Sequence, residues 1–216
     1  MIKTISMSLV TASLVLSANA FAGGKPVGIT PDMMSVEVIN DGKKAQITRN
    51  QNNKNMIKQD FAKKSRPCPP FCIQPMILAP GVETIAELEV MDYLSKMAKG
   101  DETILVVDSR TPDWVKKGTI PGAINIPWTK LNASKADPIS IGEVMEENFN
   151  VVEDDEKFDY SNAKTLVMFC NGMWCGQSPN NIKSLLKMGY PANKIKWYRG
   201  GMQDWEVLGL STVSGK

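Results

Sequence analysis

Two short runs of mostly apolar residues, Ile104–Asp108 and Thr165–Phe169, limit the folds that this chain can adopt. Neither run alternates between polar and apolar side chains, so each is typical of a strand covered on both faces of a parallel sheet. Segments with helical spacing of apolar residues lie before the first run, at 84–98, and after the second, at 180–188. This alternation predicts an α/β domain over 81–216, with a central parallel sheet flanked by helices.

The first amphipathic segment has its own start signal. Thr84 and Glu87 have the spacing of a capping box, and the helix should end near Gly100. Its apolar stripe consists of Ile85, Leu88, Met91, Leu94 and Met97. Short candidate strands at 123–126 and 196–198 add to the predicted sheet.

Residues 1–22 have the three parts of a secretory targeting segment. Lys3 gives a positive start, residues 5–16 are mostly apolar, and residues 18–22 offer small side chains at which a peptidase can cleave. The apolar stretch is shorter than the ~20 residues needed to cross a bilayer, and no later segment is long enough. We therefore expect a signal peptide, no membrane span in the mature form, and a periplasmic or secreted protein; an uncleaved membrane anchor is the alternative.

Residues 23–80 are predicted to form an accessory segment before the α/β domain. Two β-prone stretches, 35–39 and 45–48, flank Asp41-Gly42, a pair that favours a hairpin turn. The segment continues through a polar stretch and then contains a proline-rich Cys-Pro-Pro-Phe-Cys motif.

The chain contains no histidine, and its 25 basic residues nearly balance 23 acidic ones. Without histidine, Cys-His and Ser-His-Asp nucleophile systems, zinc sites with histidine ligands and Cys-x-x-Cys-His haem attachment are excluded within the chain. Balanced charge without long single-sign runs gives no reason to expect nucleic acid or an acidic membrane surface as partner. We expect no cofactor and no metal; a soft-metal site built from four thiolates is the alternative.

Cys170 directly follows the second apolar run, so it should lie at the edge of the sheet where ligands bind in α/β folds. The next residues include Gly172 and Gly176, and they lead into a helix that Ser178 should cap, with Pro179 at its first position. Free amides and the dipole at a helix start lower the pKa of a nearby thiol, so a thiolate can form here without histidine. The same amides would hold a bound persulfide or oxyanion.

Three further motifs accompany this cysteine. Residues 108–110, after the first apolar run, read Asp-Ser-Arg. Residues 118–127 read Gly-Thr-Ile-Pro-Gly-Ala-Ile-Asn-Ile-Pro, and residues 200–205 read Gly-Gly-Met-Gln-Asp-Trp.

With these motifs, the chain from Val82 onward resembles a single rhodanese domain, with Thr119 at a position where that family usually has histidine. The resemblance implies a sulfurtransferase that moves sulfane sulfur through a Cys170 persulfide to a thiol or cyanide-like acceptor. Its donor would be polysulfide, a persulfide or thiosulfate, and a protein sulfur or redox partner is also expected. Asp108 and Arg110 are expected to stabilise the fold as a buried or capping pair rather than to take part in catalysis.

The loop between Cys170 and Ser178 is longer than that of common rhodaneses and contains neither lysine nor arginine. We expect substrate contacts from Asn171, Gly172, Met173, Trp174, Gly176, Gln177 and Ser178. Longer loops resemble those of phosphatases and arsenate reductases of this fold, which depend on an arginine to hold a dianion. The missing charge disfavours phosphatase activity and weakens thiosulfate as the donor, whereas polysulfide or a protein persulfide needs less positive charge.

The remaining cysteines leave several roles open. Cys175 can resolve a persulfide or sulfenic acid on Cys170, pair with it as a redox disulfide, or have no role. Cys68 and Cys72 are expected to form a structural disulfide, with each other or with another cysteine, because the predicted compartment is oxidising. Two other functions stay as alternatives: a thiol-disulfide redox protein that uses Cys170 and Cys175, and a catalytically silent binding domain on the same scaffold.

Overall fold

The computed structural model of the chain describes residues 25–154 and 157–215, so the predicted signal peptide lies outside the described residues. The strands are β1 (Ser35–Asn40), β2 (Lys43–Thr48), β3 (Glu83–Ile85), β4 (Ile104–Asp108), β5 (Ile124–Asn125), β6 (Val152–Asp154), β7 (Lys157–Asp159), β8 (Thr165–Phe169) and β9 (Ile195–Tyr198). The α-helices are α1 (Gln59–Ala62), α2 (Glu87–Ala98), α3 (Pro112–Val115), α4 (Pro138–Phe149), α5 (Gln177–Met188) and α6 (Gly201–Val207). Within the described ranges, none of these helices has the length and apolar character needed to span a membrane.

Five strands form a central parallel sheet in the order β3, β9, β8, β4, β5. The two predicted apolar runs, β4 and β8, lie side by side, with Leu105 opposite Leu166 and Asp108 opposite Phe169. Apart from Thr165, every side chain of these two strands is buried, as the lack of alternation predicts. The predicted α/β fold with a parallel sheet flanked by helices is therefore confirmed.

Helices cover both faces of the sheet. On one face, α4 and α5 pack on the strands through Met145, Phe149, Leu166, Met168, Ile182 and Leu185. On the other face, α2 and the β1–β2 hairpin pack on the strands through Val38, Ile47, Leu94, Val106 and Val167. The accessory segment thus shares a core with the α/β domain.

The predicted hairpin of the accessory segment is confirmed. β1 and β2 are antiparallel, with Asn40 opposite Lys43. The two connecting residues, Asp41 and Gly42, have φ angles of 50° and 72°. A tight two-residue hairpin turn needs this left-handed conformation, which Asp-Gly adopts readily.

The start of α2 differs from the prediction. Residues 83–85 pair with β9 as strand β3, so the helix begins after Ala86. The carboxylate of Glu89 accepts a hydrogen bond from the Ala86 N–H (3.0 Å), in place of the predicted capping box of Thr84 and Glu87. Pairing with β9 gives residues 83–85 their backbone hydrogen bonds as a strand, and this tertiary contact overrides the local signal.

The apolar stripe of α2 differs from the prediction at one position, Leu88. Leu88 is 49% exposed, and Val90, at 0%, is buried in the core. Met91 and Leu94 are buried as predicted. The predicted end is also confirmed, since Gly100 follows the helix with a φ angle of 96°.

Candidate functional site

The carboxyl ends of β4 and β8 bring the predicted nucleophile next to the Asp-Ser-Arg motif. The Ser109 N–H donates to the Phe169 carbonyl (2.9 Å), so the two segments are still in contact as they leave the sheet. Cys170 is the first residue after β8. Residues 171–176 form the loop that leads from it into α5.

The glycine pair after β9 holds the base of this loop. The Met202 N–H donates to the Cys170 carbonyl (2.9 Å), and the Gln203 N–H donates to the Asn171 carbonyl (3.0 Å). Gly201 has a φ angle of 56°, and a β-carbon at this position would overlap the Cys170 carbonyl oxygen. The position therefore requires glycine, and the Gly-Gly motif fixes the backbone of Cys170.

Cys170 is a buried free thiol, 2% exposed. The Ser178 hydroxyl donates to its sulfur across 3.1 Å, and the Cys175 thiol and the backbone amides of Ser178 and Gly172 are further donors. Burial raises the pKa of Cys170, but these hydrogen bonds together outweigh burial and lower the pKa to about 7. A substantial fraction of thiolate therefore exists at neutral pH without histidine or a basic side chain.

Ser178 is oriented by a tryptophan of β9. The Trp197 Nε1–H donates to Ser178 Oγ (3.1 Å), which leaves the hydroxyl hydrogen for the sulfur of Cys170. Both residues are fully buried, so water does not compete for these bonds. The prediction that Ser178 caps α5 is wrong, because the helix begins at Gln177 and Pro179 is its third residue. Proximity to the sulfur at the end of β8 gives the hydroxyl a different acceptor.

Cys175 is the second free thiol of the site and is 3% exposed. Its N–H donates to the Gly172 carbonyl (2.9 Å), and the resulting turn brings its own carbonyl oxygen within 3.5 Å of the Cys170 sulfur. Burial, and then the neighbouring Cys170, raise the pKa of Cys175 well above that of an ordinary thiol. Cys175 therefore stays protonated at a pH where Cys170 ionises.

A cavity of about 320 Å³ opens against the loop. Its walls consist of Pro70, Phe71, Trp114, Trp128, Asn171, Trp174, Cys175, Gly176, Gln177 and Asn180. None of these wall residues, all within the described part of the chain, carries a formal charge. The cavity is suited to a small, weakly hydrated ligand and offers a dianion no counter-charge.

The Cys-Pro-Pro-Phe-Cys motif and its neighbours cover the loop. Phe71 meets the ring of Trp174 edge-on, with 5.7 Å between ring centroids, and the guanidinium of Arg66 stacks on the same ring at 3.7 Å. The Gln74 N–H donates to the Met173 carbonyl (2.8 Å). The accessory segment thus contributes part of the wall of the site.

Cys68 and Cys72 form a disulfide with each other, which is one of the two predicted pairings. Both line a second cavity of about 810 Å³, which lies between the accessory segment and α6. Phe71 and Trp174 line both cavities, so their contact lies between this disulfide and Cys175. Because Cys68 and Cys72 are joined, they are not the free thiolates that the alternative four-thiolate metal site requires.

The Asp108–Arg110 pair lies buried beneath the loop. Arg110 Nη2 and Asp108 Oδ2 are 2.6 Å apart, and both side chains are 1% exposed. Thr119, at the position where the family resemblance leads one to expect histidine, donates to the same carboxylate oxygen (2.7 Å). The charge of Arg110 is thus paired with Asp108. A second nitrogen of the same guanidinium donates to the Asn171 side chain (3.3 Å) and supports the loop.

The structure divides the predicted contact residues among three positions. Gly172 and Ser178 donate to the Cys170 sulfur, and Met173 lines the larger cavity. The smaller cavity is lined by four of the predicted residues: Asn171, Trp174, Gly176 and Gln177. The wall residues from other segments are missing from the predicted set: Pro70, Phe71, Trp114, Trp128 and Asn180. Their spacing in the sequence carries no sign that they meet at one cavity.

Comparisons with known proteins give one family match and several similar solved structures. Residues 90–207 match the model of the rhodanese-like domain. The thiosulfate sulfurtransferase of Pseudomonas aeruginosa is similar at 22% identity over 62% of this chain but only 21% of that one, with a TM-score of 0.41. The human single-domain sulfurtransferase is 18% identical, with 57% of this chain and 95% of that one covered and a TM-score of 0.38. A rhodanese with anions from E. coli is 23% identical. The match covers 52% of this chain and 99% of that one, with a TM-score of 0.33. No curated protein matches the chain by sequence.

Proposed function

Because the chain belongs to the family of rhodanese-like domains, we propose that it is a sulfurtransferase in which Cys170 carries sulfane sulfur as a persulfide. The observation that supports this most is the environment of the Cys170 sulfur, which is buried yet receives hydrogen bonds from a hydroxyl, two amides and a thiol. An inert core cysteine would lie among apolar atoms, and burial would raise its pKa. Here the pKa is lowered to about 7 instead.

The transfer has two steps. The Cys170 thiolate attacks the terminal sulfur of the donor, and the rest of the donor leaves with the electron pair of the broken bond. The Ser178 hydroxyl and the amides of Gly172 and Ser178 stabilise the negative charge on the Cys170 sulfur before the attack. A thiol or cyanide-like acceptor then takes the outer sulfur and restores the thiolate.

The uncharged wall of the smaller cavity favours one class of donor. Thiosulfate is a dianion, and neither guanidinium next to the loop lines the cavity. That of Arg110 is paired with Asp108, and that of Arg66 stacks on Trp174 and donates to the backbone carbonyls of Asp60 and Lys63. A dianion in the cavity would therefore lose hydration without gaining a charged partner. A polysulfide or a persulfide of a small thiol or a protein carries less charge to be desolvated, so we assign the donor to this class.

We also propose that the protein works outside the cytoplasm, in the periplasm or as a secreted protein. The Cys68–Cys72 disulfide is compatible with an oxidising compartment, and residues 1–22 have the pattern of a signal peptide. Cell fractionation with N-terminal sequencing tests this: we expect an extracytoplasmic chain that starts within residues 19–23. A cytoplasmic chain that retains Lys3 would contradict the proposal.

Mass spectrometry after exposure to a sulfur donor tests the enzymatic proposal. Reduced wild type and the Cys175→Ser variant, in which no second loop thiol can remove the sulfur, are treated in parallel with polysulfide, glutathione persulfide and thiosulfate. We expect an adduct of about 32 Da, one sulfur atom, on Cys170 of the variant with the first two donors and far less with thiosulfate. A Cys170→Ser variant is the control. Absence of any adduct on Cys170 with all three donors would contradict the proposed function.

A further inference from the structure

The transfer proposed above leaves Cys175 without a chemical role, although it is a free thiol next to the nucleophile. Its backbone turns back on Gly172, and its carbonyl oxygen lies 3.5 Å from the Cys170 sulfur. Its thiol donates to the Gln177 side-chain oxygen (3.8 Å), and the two thiols shift each other's pKa, that of Cys170 downward and that of Cys175 upward. The two sulfur atoms are thus neighbours within one short loop, and Cys175 also lines the smaller cavity.

We propose that Cys175 resolves the Cys170 persulfide, so that the protein releases hydrosulfide and is left with a Cys170–Cys175 disulfide. The proposal rests on the proposed function, because it needs a persulfide on Cys170 as its starting point. It adds a second activity, the reduction of sulfane sulfur to sulfide, and it defines the co-reactant that turnover requires.

The step balances within the loop. The Cys175 thiol first gives its proton to the outer sulfur of the anionic persulfide on Cys170. The Cys175 thiolate then attacks the inner sulfur, which is Cys170 Sγ, and the bond between the inner and outer sulfur breaks with its electron pair on the departing hydrosulfide. The sulfane sulfur is reduced by two electrons, and the two cysteines are oxidised to a disulfide. A dithiol reductant must then reduce this disulfide before the next cycle.

The loop assigns the two cysteines to different steps. Cys170 ionises first and meets the donor as a thiolate, whereas Cys175 keeps its proton next to a negatively charged neighbour. Once the persulfide forms, the charge moves to the outer sulfur, one bond further from Cys175, and that sulfur becomes the acceptor for its proton. Attack on the inner sulfur follows from position, since the loop folds Cys175 back until its carbonyl oxygen lies 3.5 Å from Cys170 Sγ.

The second cysteine pair does not supply the resolving thiol. Cys68 and Cys72 are already joined to each other. They line the larger cavity, and Phe71 and Trp174 line both that cavity and the one that contains Cys175. A variant that lacks the Cys68–Cys72 disulfide is therefore a matched control, because it loses two cysteines without touching the loop thiols.

A single-turnover experiment with the mature protein tests the proposal. Protein with reduced loop thiols is mixed with one equivalent of glutathione persulfide under anaerobic conditions, and released sulfide is measured together with the peptide masses. For wild type we expect close to one sulfide per chain and a peptide about 2 Da lighter that links residues 170 and 175. The Cys68→Ser/Cys72→Ser control should behave as wild type. The Cys175→Ser variant should release sulfide only at the protein-free background and keep the adduct of about 32 Da on Cys170.

Other outcomes would overturn the proposal in distinguishable ways. A stable persulfide on Cys170 of wild type, without sulfide release, would disprove resolution and leave the proposed sulfur transfer intact. A persulfide found on Cys175 would show attack on the outer sulfur and would also disprove it. No adduct on Cys170 in the Cys175→Ser variant would count against sulfur transfer itself. If Cys175→Ser fails to fold, disulfide mapping in wild type still tests the proposal, because a Cys170–Cys175 disulfide must appear together with the released sulfide.

Discussion

The two cysteine pairs of this chain have similar spacing and opposite states. Cys68 and Cys72, with three residues between them, form a disulfide on a largely exposed, proline-rich segment. Cys170 and Cys175, with four residues between them, are free thiols in a buried loop. Spacing along the chain therefore does not determine the chemistry of a cysteine pair. The groups that surround each sulfur atom do.

The difference lies in what stabilises the reduced form. Donors from Ser178, Gly172 and Cys175 stabilise a thiolate at Cys170, and a disulfide at this position would lose that stabilisation. Water solvates an exposed thiolate such as that of Cys68 in the folded and unfolded chain alike, so folding gives it no comparable preference. A stabilised thiolate makes the corresponding disulfide easier to reduce, which suits a pair that must return to its thiol form in each cycle.

Replacing Cys170, compared with replacing both cysteines of the disulfide, gives the largest expected contrast. Cys170→Ser should lower sulfurtransferase turnover by on the order of 10³-fold or more, because a hydroxyl is not ionised at neutral pH and cannot hold sulfane sulfur. The measurement is the rate of sulfur transfer from polysulfide to a thiol acceptor, with thermal unfolding as a check on the fold. Cys68→Ser/Cys72→Ser is the control and should keep its turnover at low temperature. Retention of more than a few per cent of the wild-type rate in Cys170→Ser would disprove the assignment of the nucleophile.

The missing charge of the Cys170 loop can be restored by substitution. Gln177 lines the smaller cavity, and Gln177→Arg would place a guanidinium there for an anionic donor. One charge-assisted hydrogen bond contributes about 1.5–3 kcal/mol, so kcat/KM for thiosulfate should rise roughly tenfold to a hundredfold. The neutral variant Gln177→Met is the control. If wild type is already saturated by micromolar thiosulfate, the argument from the uncharged wall is wrong.

The hydrogen bond from Ser178 can be separated from the general effect of removing a buried hydroxyl. Ser178→Ala removes a donor to the Cys170 sulfur, so the pKa of Cys170 should rise by about one unit or more. Because the thiolate is the active form above this pKa, the wild-type rate should rise with a midpoint near pH 7. The midpoint should move to higher pH in the variant, with a correspondingly lower rate at pH 7. Alkylation rates measured against pH report the same ionisation.

Ser109→Ala is the matched control for this test. Ser109 is fully buried, and its hydroxyl has no hydrogen-bond partner among the described residues. Its removal takes no hydrogen bond from the Cys170 sulfur, so the pKa of Cys170 should stay within about a few tenths of a unit of the wild-type value. Equal shifts in the two variants would show that Ser178 acts through packing rather than through its hydrogen bond.

The sequence predicts the centre of the fold better than its periphery. Buried strands such as β4 and β8 have a composition that few other environments allow, and the Asp41-Gly42 turn has a conformation that few other residue pairs accept. α4 is absent from the predicted elements although it has a start signal, since Asp137 accepts from the Ser140 N–H (3.0 Å). β3 is missed because its extended backbone depends on a partner, β9, that lies far away in the chain.

The candidate site shows the same division between local and long-range signals. The position of Cys170 after a buried strand is a local signal, and the structure places it at the sheet edge as expected. The hydrogen bond from Trp197 to Ser178 joins β9 to α5, and the stacking of Arg66 on Trp174 joins the accessory segment to the loop. Such contacts between distant segments leave no periodic trace in a single sequence. The sequence therefore predicts that Ser178 is a helix cap, whereas in the structure its hydroxyl donates to the Cys170 sulfur.

The smallest expected effect concerns the stability that the Cys68–Cys72 disulfide contributes. A loop this short removes little entropy from the unfolded chain, and two of the residues inside it are prolines, so the bond should contribute less than the ~3 kcal/mol of a 15-residue loop. Cys68→Ser/Cys72→Ser should lower the free energy of unfolding by less than this amount, as measured by denaturant unfolding. Limited proteolysis should show faster cleavage before Val82, because the disulfide holds the segment that places Phe71 on Trp174.

The competing interpretation makes this disulfide a relay that reduces or sulfurates the Cys170 loop. A relay requires the two cysteine pairs to meet, whereas the contact between Phe71 and Trp174 lies between their cavities. Turnover with a reductant-dependent acceptor separates the two interpretations, because a structural bond affects only stability and a relay affects the rate. If the double variant folds normally yet loses that turnover, the Cys68–Cys72 pair acts in the reaction, and the contrast between a structural and a reactive pair no longer holds.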